Sequence, residues 1–145
     1  MKTVIQRVTH ASVLVEKKEI SSIGNGFLIL LGIGKEDTEV SITKAAEKIV
    51  KLRIMSDEND KMNKSILDVD GEILVVSQFT LLADTTGGNR PSFINAAPPE
   101  HAKKLYELFV EELKRFGVKK VTTGEFGTYM KVSLVNDGPV TMVLS

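Results

Sequence analysis

At the amino-terminal end, apolar and polar positions alternate. Lys2–Val8, with Val4, Gln6 and Val8 alternating, and Ser12–Glu16 read as strands separated by a turn near Thr9-His10-Ala11. Glu19–Ile23 reads as a third strand. Gly24-Asn25-Gly26 supplies turn residues that accept positive φ. Phe27-Leu28-Ile29-Leu30-Leu31 is a continuous apolar run between glycines, the pattern of a strand covered on both faces. From Thr38 to Ile54 the period changes. Ile42, Ala45, Ala46, Ile49, Val50 and Ile54 fall on one helical stripe, with Glu39, Lys44, Glu47, Lys48 and Lys51 opposite. Ser56–Lys64 is a polar loop, and Asp70-Gly71 turns the chain into a strand over Glu72–Ser77. A second helix is predicted from Pro99 to Phe116, entered by Pro98-Pro99 and ended by Gly117, with a stripe of Ala102, Leu105, Leu108, Phe109, Leu113 and Phe116. Val118–Thr122, Tyr129–Val135 and Val140–Leu144 read as closing strands. Two main helices against a mixed, largely antiparallel sheet make an α/β layered fold, and residues 1–145 carry no linker or repeat, so one domain is expected.

Composition narrows the chemistry. There is no cysteine, so a disulfide scaffold, a thiol nucleophile and a cysteine-based metal site are excluded. Nineteen basic residues balance nineteen acidic ones. That balance argues against a large nucleic-acid footprint, whose affinity comes mainly from phosphate neutralisation, and leaves room for an enzyme that handles only an RNA end. The start Met1-Lys2-Thr3-Val4-Ile5-Gln6-Arg7 is charged too early for a signal peptide. No stretch reaches the ~18 apolar residues of a membrane span. A cytoplasmic protein without membrane association is expected.

The usual catalytic tools are missing. The two histidines have no recognisable Ser or Asp companion; His101 is expected at the surface near a helix start, and His10 in an early turn. Metal-ligand spacings are absent, and Asp57-Glu58-Asn59-Asp60 reads as a solvated loop. The glycines near residue 30 fail the phosphate-loop pattern, because Ile29 stands where a third glycine belongs and Glu36 follows Gly34-Lys35. No cofactor or metal is expected.

Two segments remain. Ser77-Gln78-Phe79-Thr80-Leu81 follows the apolar strand Ile73–Val76 and puts polar side chains where the strand ends. Such a position suits an oxyanion hole; it equally suits a strand end whose hydroxyls cap neighbouring backbone. Asn136-Asp137-Gly138-Pro139-Val140-Thr141 lies between apolar strands, either as a plain connecting turn or as a cis Gly-Pro peptide that redirects carbonyls.

Taken in order along the whole chain, these motifs resemble the D-aminoacyl-tRNA deacylases, also called D-tyrosyl-tRNA deacylases. The likeness runs through Met1–Thr9, Gly32, Met62-Asn63, Ser77–Leu81, Ala83-Asp84-Thr85, Arg90-Pro91-Ser92-Phe93 and Val132–Thr141. The resemblance implies a three-layer α/β/β fold and a homodimer with active sites at the subunit interface. The implied substrate is the ester joining a D-amino acid, or glycine, to the terminal ribose of tRNA. It implies that Gly138-Pro139 is a cis dipeptide inserted into the partner's site, where its carbonyls hold the substrate's α-amino group and exclude an L side chain. Ser77, Gln78, Phe79 and Thr80 would line the site, with N–H groups near Phe79 and Thr80 receiving the oxyanion. Arg7 would brace the Gly-Pro loop, and Phe126 and Met130 would border the adenosine or the amino acid, or pack in the core. Either Thr80 attacks, or water does with help from the ribose 2′-hydroxyl; the chain's lack of a base favours water. Two rival readings stand: a small-molecule acyl hydrolase that uses Thr80 covalently, and a non-catalytic dimeric binding module.

Overall fold

The structure, a computed structural model, describes residues 1–145. Eight strands are β1 Lys2–Val15, β2 Lys18–Ile23, β3 Gly26–Gly32, β4 Met55–Ser56, β5 Met62–Lys64, β6 Glu72–Ser77, β7 Val121–Thr123 and β8 Lys131–Leu144; the helices are α1 Glu39–Lys51 and α2 Pro99–Arg115. The main sheet runs β2-β1-β3-β6-β7, with β8 added to β1. It is mixed: β1 pairs antiparallel with β2, β3 and β8, while β3–β6 and β6–β7 are parallel. α1 lies in the connection between β3 and β6, and α2 in the one between β6 and β7, as parallel neighbours require.

Apolar residues cover the central strands on both faces. Phe27, Ile29, Leu31, Ile73 and Val75 share a core with Ile42, Ala46 and Ile49 of α1 and Leu105, Phe109 and Leu113 of α2. Leu28, Leu74 and Val76 face the other way, into a smaller core with Val8, Ala11 and Val13 of β1 and the partly buried Val132 and Leu134 of β8. The run Phe27–Leu31 is therefore apolar throughout because both of its faces are packed. The order of layers is helices, central sheet, then the far half of β1 with the first half of β8.

α1 begins where its residues dictate. Thr38 caps it, its hydroxyl accepting from Ser41 N–H at 3.2 Å while Ser41 Oγ accepts from Thr38 N–H at 2.9 Å. Its expected stripe is the one buried, and Ile54 lies just beyond it, also buried. The expected stripe of α2 needs correction, because Tyr106 and Val110 are buried and Ala102, Leu108 and Phe116 only partly so.

Three other expectations are corrected. No turn occurs at Thr9-His10-Ala11; β1 continues through it, with a register shift against β8 between Val8 and His10. Two exposed residues in a row break the alternation, as a bulge does. The last two strands are likewise one strand, β8. Finally, Ser56–Lys64 is not wholly loop, since its ends pair as β4 and β5.

Tyr106 carries a first prediction. It is 5% exposed, and its hydroxyl donates to the Val75 carbonyl at 2.9 Å. Burial pushes its pKa up to about 12, against an opposing hydrogen bond with Thr123. The folded-state value lies above the unfolded one, so this stabilisation is complete below pH ~10 and is lost as pH rises towards 12. Over that window the wild type should lose about 2–3 kcal/mol more stability than Tyr106→Phe. Urea unfolding at pH 9 and pH 12 measures the difference; equal losses in both proteins would refute the assignment.

Candidate active site

β6 ends beside β3, with Ser77 opposite Leu31. The Gln78 N–H then donates to the Leu31 carbonyl at 2.8 Å, and the chain tightens into a 3₁₀ turn over Phe79–Leu82. Gly32 makes this possible. A Cβ there would sit 2.5 Å from Leu82 Cδ2 and 2.9 Å from the Gln78 carbonyl oxygen. Within the turn, Leu81 N–H bonds to the Gln78 carbonyl and Ala83 N–H to that of Thr80. The N–H groups of Phe79 and Thr80, at the start of the turn, have no acceptor within it. The Gln78 side-chain amide donates to Thr80 Oγ1.

Ser77, Gln78 and Phe79 open onto a cavity of about 620 Å³. Its other walls come from distant parts of the chain: Phe93, Ala96 and Ala97 before α2, and Phe126–Met130 between β7 and β8. Phe79 and Phe93 meet edge to face, with ring centroids 5.0 Å apart. None of the lining residues carries a charged side chain. The space suits a neutral, partly aromatic group, with polarity supplied by Ser77, Gln78 and backbone.

Ser77, Gln78, Phe79, Phe126 and Met130 thus share one cavity, and Thr80 joins them through Gln78. Phe93 was present in the Arg90–Phe93 motif, but nothing local signalled its place in the wall.

Arg7, Gly138 and Pro139 form a second cluster and do not line that cavity. In the β1–β8 ladder Gln6 pairs with Thr141 and Val8 with Asn136, so Arg7 alone faces Asp137-Gly138-Pro139-Val140, of which the first three are exposed and Val140 packs against the core. The Gly138–Pro139 bond is cis, and Gly138 has φ +133°. Arg7 is 7% exposed. Its Nε donates to the Asp137 carbonyl at 3.0 Å, and Nη1 donates to the Ile54 carbonyl at 2.8 Å and to Ser56 Oγ at 3.3 Å. The Asp137 carboxylate lies 3.5 Å from Nε. One guanidinium fork therefore ties the turn to the segment following α1.

The histidines take no part in either cluster. His10 is exposed on β1 rather than in a turn. His101 is half-buried, contrary to its expected surface position, because its Nε2 bonds to the Asp37 carbonyl at 3.1 Å.

Known proteins resemble this arrangement along its whole length. Residues 4–145 match the family model D-Tyr-tRNA(Tyr) deacylase. A D-aminoacyl-tRNA deacylase of Thermosipho africanus (strain TCF52B) is 58% identical over 144 residues, covering 99% of this chain and 96% of its own. One from Roseiflexus sp. (strain RS-1) is 56% identical, covering 99% and 92%. Among solved structures, one named c-Myc DNA Unwinding Element Binding Protein has TM-score 0.94 and 46% identity, covering 100% of this chain and 98% of that one. A probable eukaryotic D-amino acid tRNA deacylase, 16% identical with TM-score 0.85, shares the fold. With the model matched from residue 4 to the last, and relatives above half identity over nearly all of both chains, the chain belongs to the D-Tyr-tRNA(Tyr) deacylase family.

Proposed function

We propose that this protein hydrolyses the ester between a D-amino acid, or glycine, and the 3′-terminal ribose of tRNA, as a proofreading step of translation in the cytoplasm. Family membership supports the reaction class. The observation that carries the site is the pair of N–H groups, Phe79 and Thr80, that the start of the 3₁₀ turn leaves without an acceptor of its own, beside an uncharged cavity. Donors without a ground-state partner are available to a developing oxyanion without first breaking a bond.

In this reading water adds to the ester carbonyl carbon, and the carbonyl oxygen becomes the oxyanion held by those N–H groups. The ribose 2′-hydroxyl takes a proton from the water and passes its own to O3′ as the bond between the carbonyl carbon and O3′ breaks. Free amino acid and free tRNA leave. Thr80 is poorly placed to be the nucleophile, since its oxygen accepts from the Gln78 amide and no histidine or lysine lines the cavity.

The active unit is a homodimer in which Gly138-Pro139 of one subunit enters the cavity of the other. Its separation from the cavity of its own chain supports this. So does exposed apolar surface on β8 flanking the turn, at Val135 and Val143. Duplex DNA as a ligand has less support, because nineteen basic residues are matched by nineteen acidic ones.

The test separates water from Thr80. Thr80→Ala should lower kcat by roughly tenfold and leave clear activity, whereas a substrate ending in 2′-deoxyadenosine should react at least ~10²-fold more slowly, the usual worth of a lost proton-transfer group. Complete loss in a folded, substrate-binding Thr80→Ala protein, or an acyl adduct trapped on Thr80, would reverse the assignment in favour of covalent catalysis.

A further inference from the structure

The cavity wall Gly124–Met130 has little backbone support. Between β7 and β8 its backbone N–H groups bond at Gly124 to the Val75 carbonyl at 3.0 Å, at Thr128 to the Glu125 carbonyl at 3.3 Å and at Glu125 to Met130 Sδ at 3.4 Å, and only the first reaches the rest of the fold. Side chains supply the remainder. Met130 folds back so that a Cβ on Gly124 would lie 2.6 Å from its Sδ. Tyr106 reaches the same spot from α2. Its hydroxyl donates to the Val75 carbonyl that also receives Gly124, and its ring centroid lies 5.7 Å from that of Phe126. On the other side of Phe126 is a second hollow of about 350 Å³, bordered by Tyr106, Glu107, Thr123 and Glu125. Phe126 lines both spaces.

We propose that Tyr106 is a positioning residue for the substrate cavity: anchored on the Val75 carbonyl, its ring keeps Phe126 on the substrate side of the partition and so sets substrate affinity. This rests on the deacylase reading above for the identity of the substrate. Nothing in the chemistry passes through the phenol, which is buried and does not line the substrate cavity. Its action is through Phe126.

Tyr106→Phe tests this, because it keeps the ring and removes only the anchor. With D-tyrosyl-tRNA, KM should rise about fivefold, the worth of one net hydrogen bond, while kcat changes by less than about twofold. A 4-fluorophenylalanine placed at position 126 should give one sharp fluorine resonance in the wild type and a broadened or second resonance in Tyr106→Phe. In a Phe126→Ala background the same substitution should leave KM unaltered, since the pathway is already gone. Phe126→Leu provides an approach from the other side, raising KM with α2 untouched. An unchanged KM together with an unchanged fluorine spectrum overturns the proposal. So does a KM effect of the same size in the Phe126→Ala background. Wild-type protein without D-ester hydrolysis would instead sink the functional reading, and the fluorine spectra would still decide whether Tyr106 holds Phe126.

Discussion

Incubated with matched D- and L-tyrosyl-tRNA, the protein should hydrolyse the D-ester at least ~10³-fold faster in kcat/KM. The ratio follows from where selection would act. A pocket that compares side chains by apolar fit separates them by only ~1–3 kcal/mol, and D- and L-tyrosine have the same side chain. Fixed backbone carbonyls facing the α-carbon read handedness itself. In the proposed site the L-isomer would have either to drive its side chain into the Gly138-Pro139 turn or to turn its ammonium group away from those carbonyls. A lost charge-assisted hydrogen bond with an added clash is worth ~4 kcal/mol, about 10³ in rate. Arg7 would stiffen the turn for that discrimination, since its Nε donates to the Asp137 carbonyl and its Nη1 to the Ile54 carbonyl. Comparable rates on the two isomers would remove chirality as the selected property.

Gly138→Leu should lower activity at least ~10²-fold, because displacement of a substrate-positioning group by about 1 Å costs that much. At φ +133° a side chain is strained, and its Cβ would lie 2.9 Å from the Val140 backbone nitrogen and 2.8 Å from Val140 Cγ2. The turn has to move. Since the turn lies outside its own chain's cavity, the lesion should be felt in the partner's site. Mixing two inactive, folded proteins tests this. One carries Gly138→Leu; the other carries Gln78→Ala with Thr80→Ala. In a mixed dimer one site collects both lesions and the other collects neither, so after random exchange about a quarter of all sites should regain wild-type activity. If activity stays absent after verified exchange, the turn serves its own chain.

Much of this architecture was already written along the chain, for a local reason. α1 starts at Thr38 because a threonine cap with Ser41 precedes a 3.6-residue apolar stripe, and every contact needed is within one turn. Phe27–Leu31 and Ile73–Val76 declare themselves as buried strands because their faces are both apolar. The Ser77–Thr80 segment stands out for the same kind of reason: polar residues interrupt an apolar run at its end. What the chain does not declare is register. The supposed breaks at residues 9–11 and 136–139 are bulges within two long strands, and only pairing across β1 and β8 shows that Arg7 faces four residues of the other strand. The cavity is likewise a tertiary product. Phe79 meets Phe93, and Tyr106 meets Phe126, through packing between elements whose separation in sequence leaves no periodic trace. Hydrophobic spacing reports which face of an element is buried. It carries no record of which other element buries it, and so the two clusters were decided by the tertiary structure alone.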